Sequence, residues 1–504
     1  MRSSTRIIVN TAAQYIRTLI NIILTLYSTR LILEALGVDN YGLYILVGGV
    51  ISMLSFATNA LATTTQRFLS YHQGKSNLDQ QRNYFANSFY IHLIIGLFVL
   101  IFLLSFIHIL FNGFLNIPDE RLYAAKITYA IVSVILLFTF MTSPFRAVLI
   151  SHENIVYLSI VDILDGLLKV VIAIVLLHIS TDKLIAYSFL MGLIQIFNLL
   201  AIGLFCIFKY KECWHPSLKR IKIIYLKEIL SFAGWTVYSI GCVIGRTQGV
   251  AVIINKFFGA AVNAAYGIGF QISGYVTFIS ESILNAVRPQ IIRAEGEGNH
   301  RHMLWLAQMS SKYGLFLLCC IAIPCIAEMP NLLGLWLKEV PEYATMFSRM
   351  VLLAAIFDTS TSGLWVANQA IGNIKTYSIS INSVKILTLP VSFLLVKNEF
   401  PLLSVAISYV FFEALCAFLR IAFLHKNGNL DIRKFIICVY GRLIIPMILF
   451  ISATIVLAHC STAIWGILMT FTISNLVFIV SFFLFGMKRE EKQLFLSFAQ
   501  KKTK

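Results

Sequence analysis

Charged residues are scarce in this chain of 504 residues: Asp, Glu, Lys and Arg make up 12% of it, about half the share in an average globular protein. Hydrophobic residues make up 58%, more than a soluble core can bury. They fall in runs of about 20 to 26 residues, the length that crosses a hydrocarbon core of roughly 30 Å. The sequence therefore excludes a string of soluble domains and predicts an all-α, polytopic membrane protein.

Several signatures of enzymatic chemistry are also missing. The nine cysteines form no C-x-x-C pair and lie mostly inside apolar runs, so neither a disulfide framework nor a metal site is indicated. Gly74-Lys75-Ser76 lacks the upstream glycine of a phosphate-binding loop, so ATP hydrolysis is not expected. No predicted outward loop exceeds about 20 residues, which leaves no room there for a catalytic domain. We expect a protein that is not an enzyme and holds no metal or cofactor.

A window of about 19 residues predicts fourteen membrane helices. Continuous runs of this length favour helices over a barrel, whose strands show about ten alternating residues. The predicted spans are 7–33, 41–62, 84–110, 122–148, 158–178, 183–207, 229–254, 262–285, 305–326, 345–368, 375–396, 401–424, 435–458 and 463–486.

The basic residues predict the orientation of these spans. With the N-terminus in the cytoplasm, 25 of the 40 Lys and Arg fall on the cytoplasmic side and five on the other. Such an imbalance is typical of the positive-inside rule, so both termini are expected to be cytoplasmic. The rule also accounts for most of the +17 net charge, so a nucleic-acid partner is not expected.

The span starts repeat along the chain. Sliding the second half over the first aligns six starts with offsets of 217 to 223 residues, which favours a duplicated six-helix unit. Within 37–77, Gly37/Gly259 and Gly74/Gly296 are two of five identities at offset 222. The predicted domains are an N-terminal lobe (1–208), a basic linker (209–228), a C-terminal lobe (229–424), and two last helices with a basic tail (425–504).

Seven charges lie deep in predicted spans, at Arg17, Asp165, Lys169, Arg246, Asp358, Lys385 and Glu413. Each costs about 2.5–3.5 kcal/mol at a helix centre, so seven facing lipid would cost roughly 17–25 kcal/mol. They must therefore face protein or water. Asp165 and Lys169 have the spacing of a helical ion pair, and Lys385 and Glu413 have similar depth on consecutive spans. Two interpretations are open for Asp165, Lys169, Asp358, Lys385 and Glu413. They form ion pairs that only stabilise the structure, or they couple transport to an ion.

Charges near span ends need no such partner. Asp162 is expected to be an interfacial polar residue. Lys312 and Arg420 are expected to extend towards the membrane surface, as long basic side chains do.

Arg17 and Arg246 have no obvious local partner in the sequence. Arg17 belongs to a polar stripe on the first span, formed by Asn10, Gln14, Arg17, Asn21, Thr25 and Ser28. Such a stripe either bonds neighbouring helices or lines a water-filled cleft, and its length favours the cleft. A guanidinium binds oxyanions with two parallel hydrogen bonds. Arg17, Arg246, Asn10, Gln14 and Asn21 are therefore the predicted substrate-binding residues.

Glu281 lies in a second polar concentration, on the eighth span. An acidic group there could bind a coupling proton or Na⁺. The alternative, slightly favoured by the sequence, is an ion pair with Arg288 near the membrane surface.

Two passages resemble a known family. The segment from Ser28 to Tyr44, STRLILEALGVDNYGLY, and the segment QRFLS that begins at Gln66 are similar to those of Wzx-type polysaccharide flippases, in the multidrug/oligosaccharidyl-lipid/polysaccharide (MOP) exporter superfamily. The length, the 6 + 6 + 2 helices and the basic cytoplasmic face fit it over the whole chain. The resemblance implies a MATE-like, V-shaped pair of bundles that open alternately to either side, and a cationic cavity.

The resemblance also implies a function: flipping of undecaprenyl-pyrophosphate-linked oligosaccharide across a bacterial cytoplasmic membrane, for surface polysaccharides such as O-antigen. The expected partners are this lipid-linked cargo, membrane lipids and a coupling H⁺ or Na⁺. The main alternative is a cation-coupled multidrug exporter with Asp165, Glu281 or Asp358 as titrating groups. A membrane glycosyltransferase or polymerase is a further alternative, and the short loops count against it.

Overall fold

A computed structural model describes residues 3–52, 55–111, 117–214, 216–337, 340–460, 464–489 and 491–493. Over these residues the secondary structure is helical, without a β-strand. Ten of the helices are long and apolar enough to cross a membrane. The predicted class, an all-α polytopic membrane protein, is confirmed.

The helices of the first half follow the predicted spans closely. They are α1 (Ser3–Ser52), α2 (Ser55–Gly74), α3 (Leu78–Ser105), the short α4 (Ile107–Ile109), α5 (Asp119–Ser151), α6 (Ile155–Leu177) and α7 (Lys183–Lys209).

The second half continues with longer and more broken helices. They are α8 (Ile223–Phe258), α9 (Ala260–Gly296), α10 (His300–Ala327), α11 (Met329–Trp336), α12 (Ala344–Ser360), α13 (Ser362–Ile371), α14 (Ile374–Ile386), α15 (Thr388–Lys397), α16 (Leu403–Gly428), α17 (Ile432–Ile436), α18 (Arg442–Cys460) and α19 (Ile464–Ser481).

The number of apolar spans is smaller than the fourteen predicted. Ten helices qualify by length and composition in the described residues, or eleven if α12 and α13, bent by 42° to each other, form one broken span. The remaining predicted spans, 41–62, 158–178 and 262–285, are helical where the structure describes them. The span 158–178 does not qualify because α6 carries three charges, at positions 162, 165 and 169, and the span 41–62 is described in two helices, α1 and α2.

Glycines mark the same break in both halves of the chain. Gly37 interrupts α1 with φ +75°, and Gly259 separates α8 from α9 with φ +86°. Glycine enters this left-handed region without steric cost, which other residues do not. The two positions were aligned by the sequence repeat at offset 222, so the identity has a shared conformational cause.

The chain forms two compact units. Unit 1 comprises Met1–Tyr238 with Ile292–Asn299, and unit 2 comprises Ser239–Ile291 with His300–Lys504. The core of unit 1 includes the fully buried Phe85, Val148 and Leu149. The core of unit 2 includes Leu318 and Leu352. The finer boundaries predicted from the sequence, including the linker at 209–228, stay a prediction.

A second aligned glycine pair lies at a helix contact inside unit 1. A Cβ on Gly74 would come within 2.1 Å of the Arg293 carbonyl oxygen, and one on Gly296 within 2.0 Å of the Tyr71 carbonyl oxygen. The ends of α2 and α9 therefore approach backbone to backbone, which only glycine permits. Arg293 of α9 fixes the contact, because its Nη2 donates a hydrogen bond to Oε1 of Gln73 on α2 at 2.9 Å.

Candidate functional site

Five helical elements of unit 2 each present a polar stripe to one cavity of about 580 Å³. On α9 the lining residues are Ser273, Thr277, the adjacent Ser280 and Glu281, Leu284 and Arg288. Apart from that adjacent pair they recur every three or four positions, so they share one face of the helix. The same spacing gives Ser239, Val243 and Arg246 on α8. The broken helix α12–α13, α14 and α16 complete the wall. The volume is in the range of small-molecule sites.

The lining carries both charge signs. Its charged residues are the cationic Arg246, Arg288, Lys385 and Arg420 and the anionic Glu281, Asp358 and Glu413. Four cations against three anions leave a formal charge of +1. Hydroxyl and amide groups, such as those of Ser239, Asn285 and Asn382, lie between the charges.

Five of these charges form a row of alternating sign. Arg420 Nη2 lies 2.7 Å from Asp358 Oδ1, and Lys385 Nζ lies 3.1 Å from the same oxygen. Lys385 Nζ also lies 3.1 Å from Glu413 Oε2, and Arg246 Nη2 lies 2.7 Å from Glu413 Oε1. The row joins α8, α12, α14 and α16, so each charge is neutralised by another helix.

The row is buried at every member except Asp358. The side chains of Arg246 and Glu413 are 2% and 5% exposed, whereas that of Asp358 is 43% exposed. Arg246 is held further by Tyr409, whose hydroxyl accepts a hydrogen bond from Nη2 at 2.7 Å and whose ring lies 4.1 Å below the guanidinium. Nε and Nη1 of Arg246 are buried and have no hydrogen-bond partner in the described residues, so two donors of this guanidinium stay unsatisfied.

Arg420 holds the bend between α12 and α13. Its Nη1 donates to the Asp358 carbonyl oxygen at 3.1 Å and to Thr361 Oγ1 at 3.2 Å. A broken helix leaves carbonyl groups without their usual partners, and the guanidinium supplies donors for them. The expectation that Arg420 extends to the membrane surface is wrong, because Asp358, 62 positions away, captures it inside the protein.

Lys312 departs from its expectation for the same reason. Its ammonium is fully buried and lies 2.8 Å from Glu491 Oε2. Sequence distance hid this partner, which comes from the last described helical turn of the chain.

Arg288 and Glu281 are the exceptions to this pairing. Among the described residues neither has an ion-pair partner within 4.0 Å. Seven residues apart, they lie about 10 Å from each other along the α9 axis, which is why the expected pair between them does not form. Arg288 instead stacks on the Trp365 ring, at 4.9 Å from its centroid. A stacked guanidinium is oriented by the ring and keeps its N–H edge for an acceptor.

The residues predicted from the first span lie in unit 1. Arg17 Nη1 is 2.8 Å from Asp162 Oδ2, and Arg146 shares that carboxylate at 3.0 Å. Arg17 and Arg246, which have no obvious local partner in the sequence, each pair with an acid on a helix distant in sequence. Asp162 is likewise a shared ion-pair acceptor rather than a mere interfacial residue.

The rest of the α1 stripe is also engaged in unit 1. Asn10 donates to the Glu153 carbonyl oxygen at 2.9 Å, and Gln14 is buried. Asn21 faces Gly166 of α6, where an added Cβ would lie 3.0 Å from Asn21 Oδ1. Contacts of this kind bond one helix to its neighbour. Their role in substrate binding stays a prediction.

The predicted pairs are present. Asp165 and Lys169 lie 2.6 Å apart, and Asn198 donates to Asp165 at 2.7 Å. Lys385 pairs with Glu413 as expected, and with Asp358 as well. Sequence inspection missed Trp365, Tyr409 and Asn382 as lining residues, because an aromatic or amide group within an apolar span carries no signal of its own.

Similar proteins were found by sequence and by structure, and no family model matches the chain. "Uncharacterized membrane protein EpsK" of Bacillus subtilis (strain 168) is 21% identical over 342 residues, which cover 67% of this chain and 66% of that protein. A MATE structure in the bent conformation matches with a TM-score of 0.72 at 14% identity, covering 86% of this chain and 96% of its own.

Two further structures agree with this match. A MOP superfamily transporter from Pyrococcus furiosus, whose binding pocket is described as having reversed polarity, gives a TM-score of 0.69 at 14% identity, covering 86% of this chain and 96% of its own. An outward-facing multidrug resistance MATE transporter gives 0.70 with the same identity and coverage. The chain is thus a multi-pass membrane protein with the fold of the MATE transporters of the MOP superfamily.

Proposed function

We propose that the protein is a transporter, not an enzyme, that moves polyprenyl-pyrophosphate-linked oligosaccharide across a bacterial cytoplasmic membrane. The observation that carries the proposal is the unit 2 cavity, where acids neutralise three cations and Arg288 keeps its N–H edge. The fold likeness to MOP superfamily transporters supports transport in general, and the cavity chemistry supports the cargo.

Each part of the cargo has a matching chemistry. Guanidinium groups bind phosphate oxygens with paired, charge-assisted hydrogen bonds, and the N–H edge of Arg288 offers such bonds. Sugar hydroxyls both donate and accept hydrogen bonds, and the Ser, Thr and Asn side chains of α8, α9 and α14 can form hydrogen bonds of both kinds with them. The polyprenyl chain needs no polar site, because it stays dissolved in lipid.

The test is transport by the full-length protein in liposomes. A fluorescent pyrophosphate-linked saccharide lipid is placed in both leaflets, and an impermeant sugar-modifying reagent reports the fraction that reaches the outer leaflet. We expect Arg288→Gln to slow flipping about tenfold or more, the loss of one charge-assisted hydrogen-bond pair. Arg301→Gln, an exposed arginine outside the cavity, is the matched control. An unchanged flipping rate for Arg288→Gln would contradict the site assignment. Absence of flipping by the wild type would contradict the proposed cargo.

Glu281 favours a second candidate, a cation-coupled multidrug exporter. It is an acidic lining residue without an ion-pair partner among the described residues, and such a group can bind a cationic drug or a coupling ion. This candidate predicts that a proton or Na⁺ gradient drives extrusion of a cationic dye, and that Glu281→Gln abolishes this transport. The same liposomes distinguish the two functions.

A further inference from the structure

The connection between α7 and α8 does not behave like a polar linker. α7 and α8 both qualify as membrane spans, so the connection from Tyr210 to Lys222 begins and ends at a membrane surface. In the described positions 210–214 and 216–222, a 3₁₀ turn at Leu218–Arg220 is the one helical piece.

Hydrogen bonds fasten this connection along the start of α3. Tyr90 donates to the Pro216 carbonyl oxygen at 2.9 Å, Asn87 to the Arg220 carbonyl oxygen at 2.9 Å, and Arg220 to Asn83 at 2.8 Å. The three α3 residues recur at spacings of four and three, so they share one face. They extend about 10 Å along the α3 axis, and α3 is itself an apolar span. The connection therefore lies beside the end of a span instead of reaching into water.

The fastened segment exposes apolar and basic side chains together. The exposed apolar ones are Phe208, Trp214, Leu218, Ile223 and Ile224. The exposed basic ones are Lys209, Lys211, Lys219, Lys222 and Lys227. We name these ten residues the interfacial platform. Three acids lie nearby: Asp79 pairs with Arg220 at 3.6 Å, Glu212 is bonded by His152, and Glu228 accepts a hydrogen bond from Tyr84.

We propose that the interfacial platform binds the acidic phospholipids of the surrounding bilayer. Tryptophan and other large apolar groups partition to the headgroup level, and lysine extends its ammonium to the phosphates above. Basic residues beside a membrane attract acidic lipids, and the five exposed lysines with Arg220 outnumber the three nearby acids, so the net charge of this surface is positive. Because hydrogen bonds to α3 fix its backbone, the platform needs no further ordering when it binds lipid. The proposal does not depend on the transported cargo.

Tryptophan quenching in nanodiscs tests the platform. Two full-length variants each keep one of the six tryptophans, either Trp214 or Trp465, which is exposed at the start of α19 in unit 2 and is not part of the platform. Nanodiscs contain brominated phosphatidylglycerol or brominated phosphatidylcholine at the same bromine content. We expect stronger quenching of Trp214 by the acidic lipid, with an enrichment of up to about fivefold per lysine at low salt, and equal quenching of Trp465 by both.

A second variant separates charge from depth. Lys211→Gln, Lys219→Gln and Lys222→Gln together should abolish the preference of Trp214 for the acidic lipid while leaving its quenching by phosphatidylcholine unchanged. Equal quenching of Trp214 by both lipids in the unmodified platform would overturn the proposal. Absence of quenching by either would overturn it as well, because Trp214 would then lie outside the bilayer. Size-exclusion profiles of each variant establish that the chain is folded.

Discussion

The two units hold their membrane charges in different ways. In unit 1, Asp162 accepts two arginines whose side chains are 24% and 35% exposed. In unit 2, Glu413 bridges Arg246 and Lys385, which are 2% and 8% exposed. In the order of the predicted repeat, the polar partners sit on the first, fourth, fifth and sixth helices of each half. The corresponding helices thus carry a partly exposed ion-pair cluster in unit 1 and a buried row of charges beside a cavity in unit 2.

The difference teaches how charge is made tolerable in an apolar protein. A half-exposed ion pair contributes little to stability, because water already solvates both partners. A dry pair is costly to form, and removal of one partner leaves an unpaired buried charge. Removal of one charge from the unit 2 row should therefore cost much stability. The row also lines the cavity, where a ligand would need charges in fixed positions.

The largest expected effect comes from the centre of the dry row. Glu413→Ala leaves Arg246 and Lys385 facing each other without the shared carboxylate, which we expect to destabilise the protein by about 3–5 kcal/mol. Thermal unfolding of the purified protein in detergent measures this. Adding Arg246→Met to the same chain should recover much of the loss, since Lys385 keeps Asp358. An unaltered midpoint for the single variant would mean that the row is not dry.

The matching change in unit 1 should be milder. Asp162→Asn removes the acceptor of Arg17 and Arg146, and their partial exposure lets water replace it, so we expect a loss of roughly 1–2 kcal/mol, between the values for exposed and buried pairs. The same unfolding measurement applies. A loss as large as that of Glu413→Ala would abolish the contrast between the units.

Acid provides another perturbation of unit 1, through His72. This residue is in the last turn of α2, ten positions beyond the predicted span end at 62. Burial, and then the charges of Lys75 and Arg67, lower its pKa from 6.5 to about 4. Between these values the unfolded chain binds a proton that the folded chain does not, so stability should fall as the pH falls from 6.5 to 4. His72→Gln should flatten this part of an unfolding-midpoint profile, and an identical profile would contradict the assignment.

The smallest expected effect is at the partly exposed ion pair in the middle of α6. Lys169→Gln breaks an i,i+4 pair whose lysine is 39% exposed, and we expect a loss of about 0.3–0.5 kcal/mol. Unfolding at low and high salt measures it, because the wild-type advantage should shrink as salt screens the pair. A larger, salt-independent loss would show that Lys169 packs rather than pairs.

Much of the fold could be predicted from the sequence. Hydrophobic run length located the helices, because the bilayer fixes that length for any chain. Gly37, Gly74 and their aligned partners were also visible as identities. The sequence did not show why glycine is needed at each pair: Gly37 and Gly259 have positive φ, and Gly74 and Gly296 allow a close backbone contact.

The candidate site was only half visible for the same physical reason. Charges such as Arg246, Asp358 and Glu413 stood out, because each is costly in lipid wherever it lies. Tyr409 and Trp365 did not, because an aromatic ring in an apolar span is ordinary there.

The sequence by itself determined that this protein is a bundle of membrane helices with charges that must avoid lipid, since composition and run length are properties of the chain alone. Only the tertiary structure decided which charges meet. Arg17 pairs with a residue 145 positions away, and Arg246 lies beside Tyr409, 163 positions away. Partners on different helices are chosen by helix packing, which no local pattern encodes.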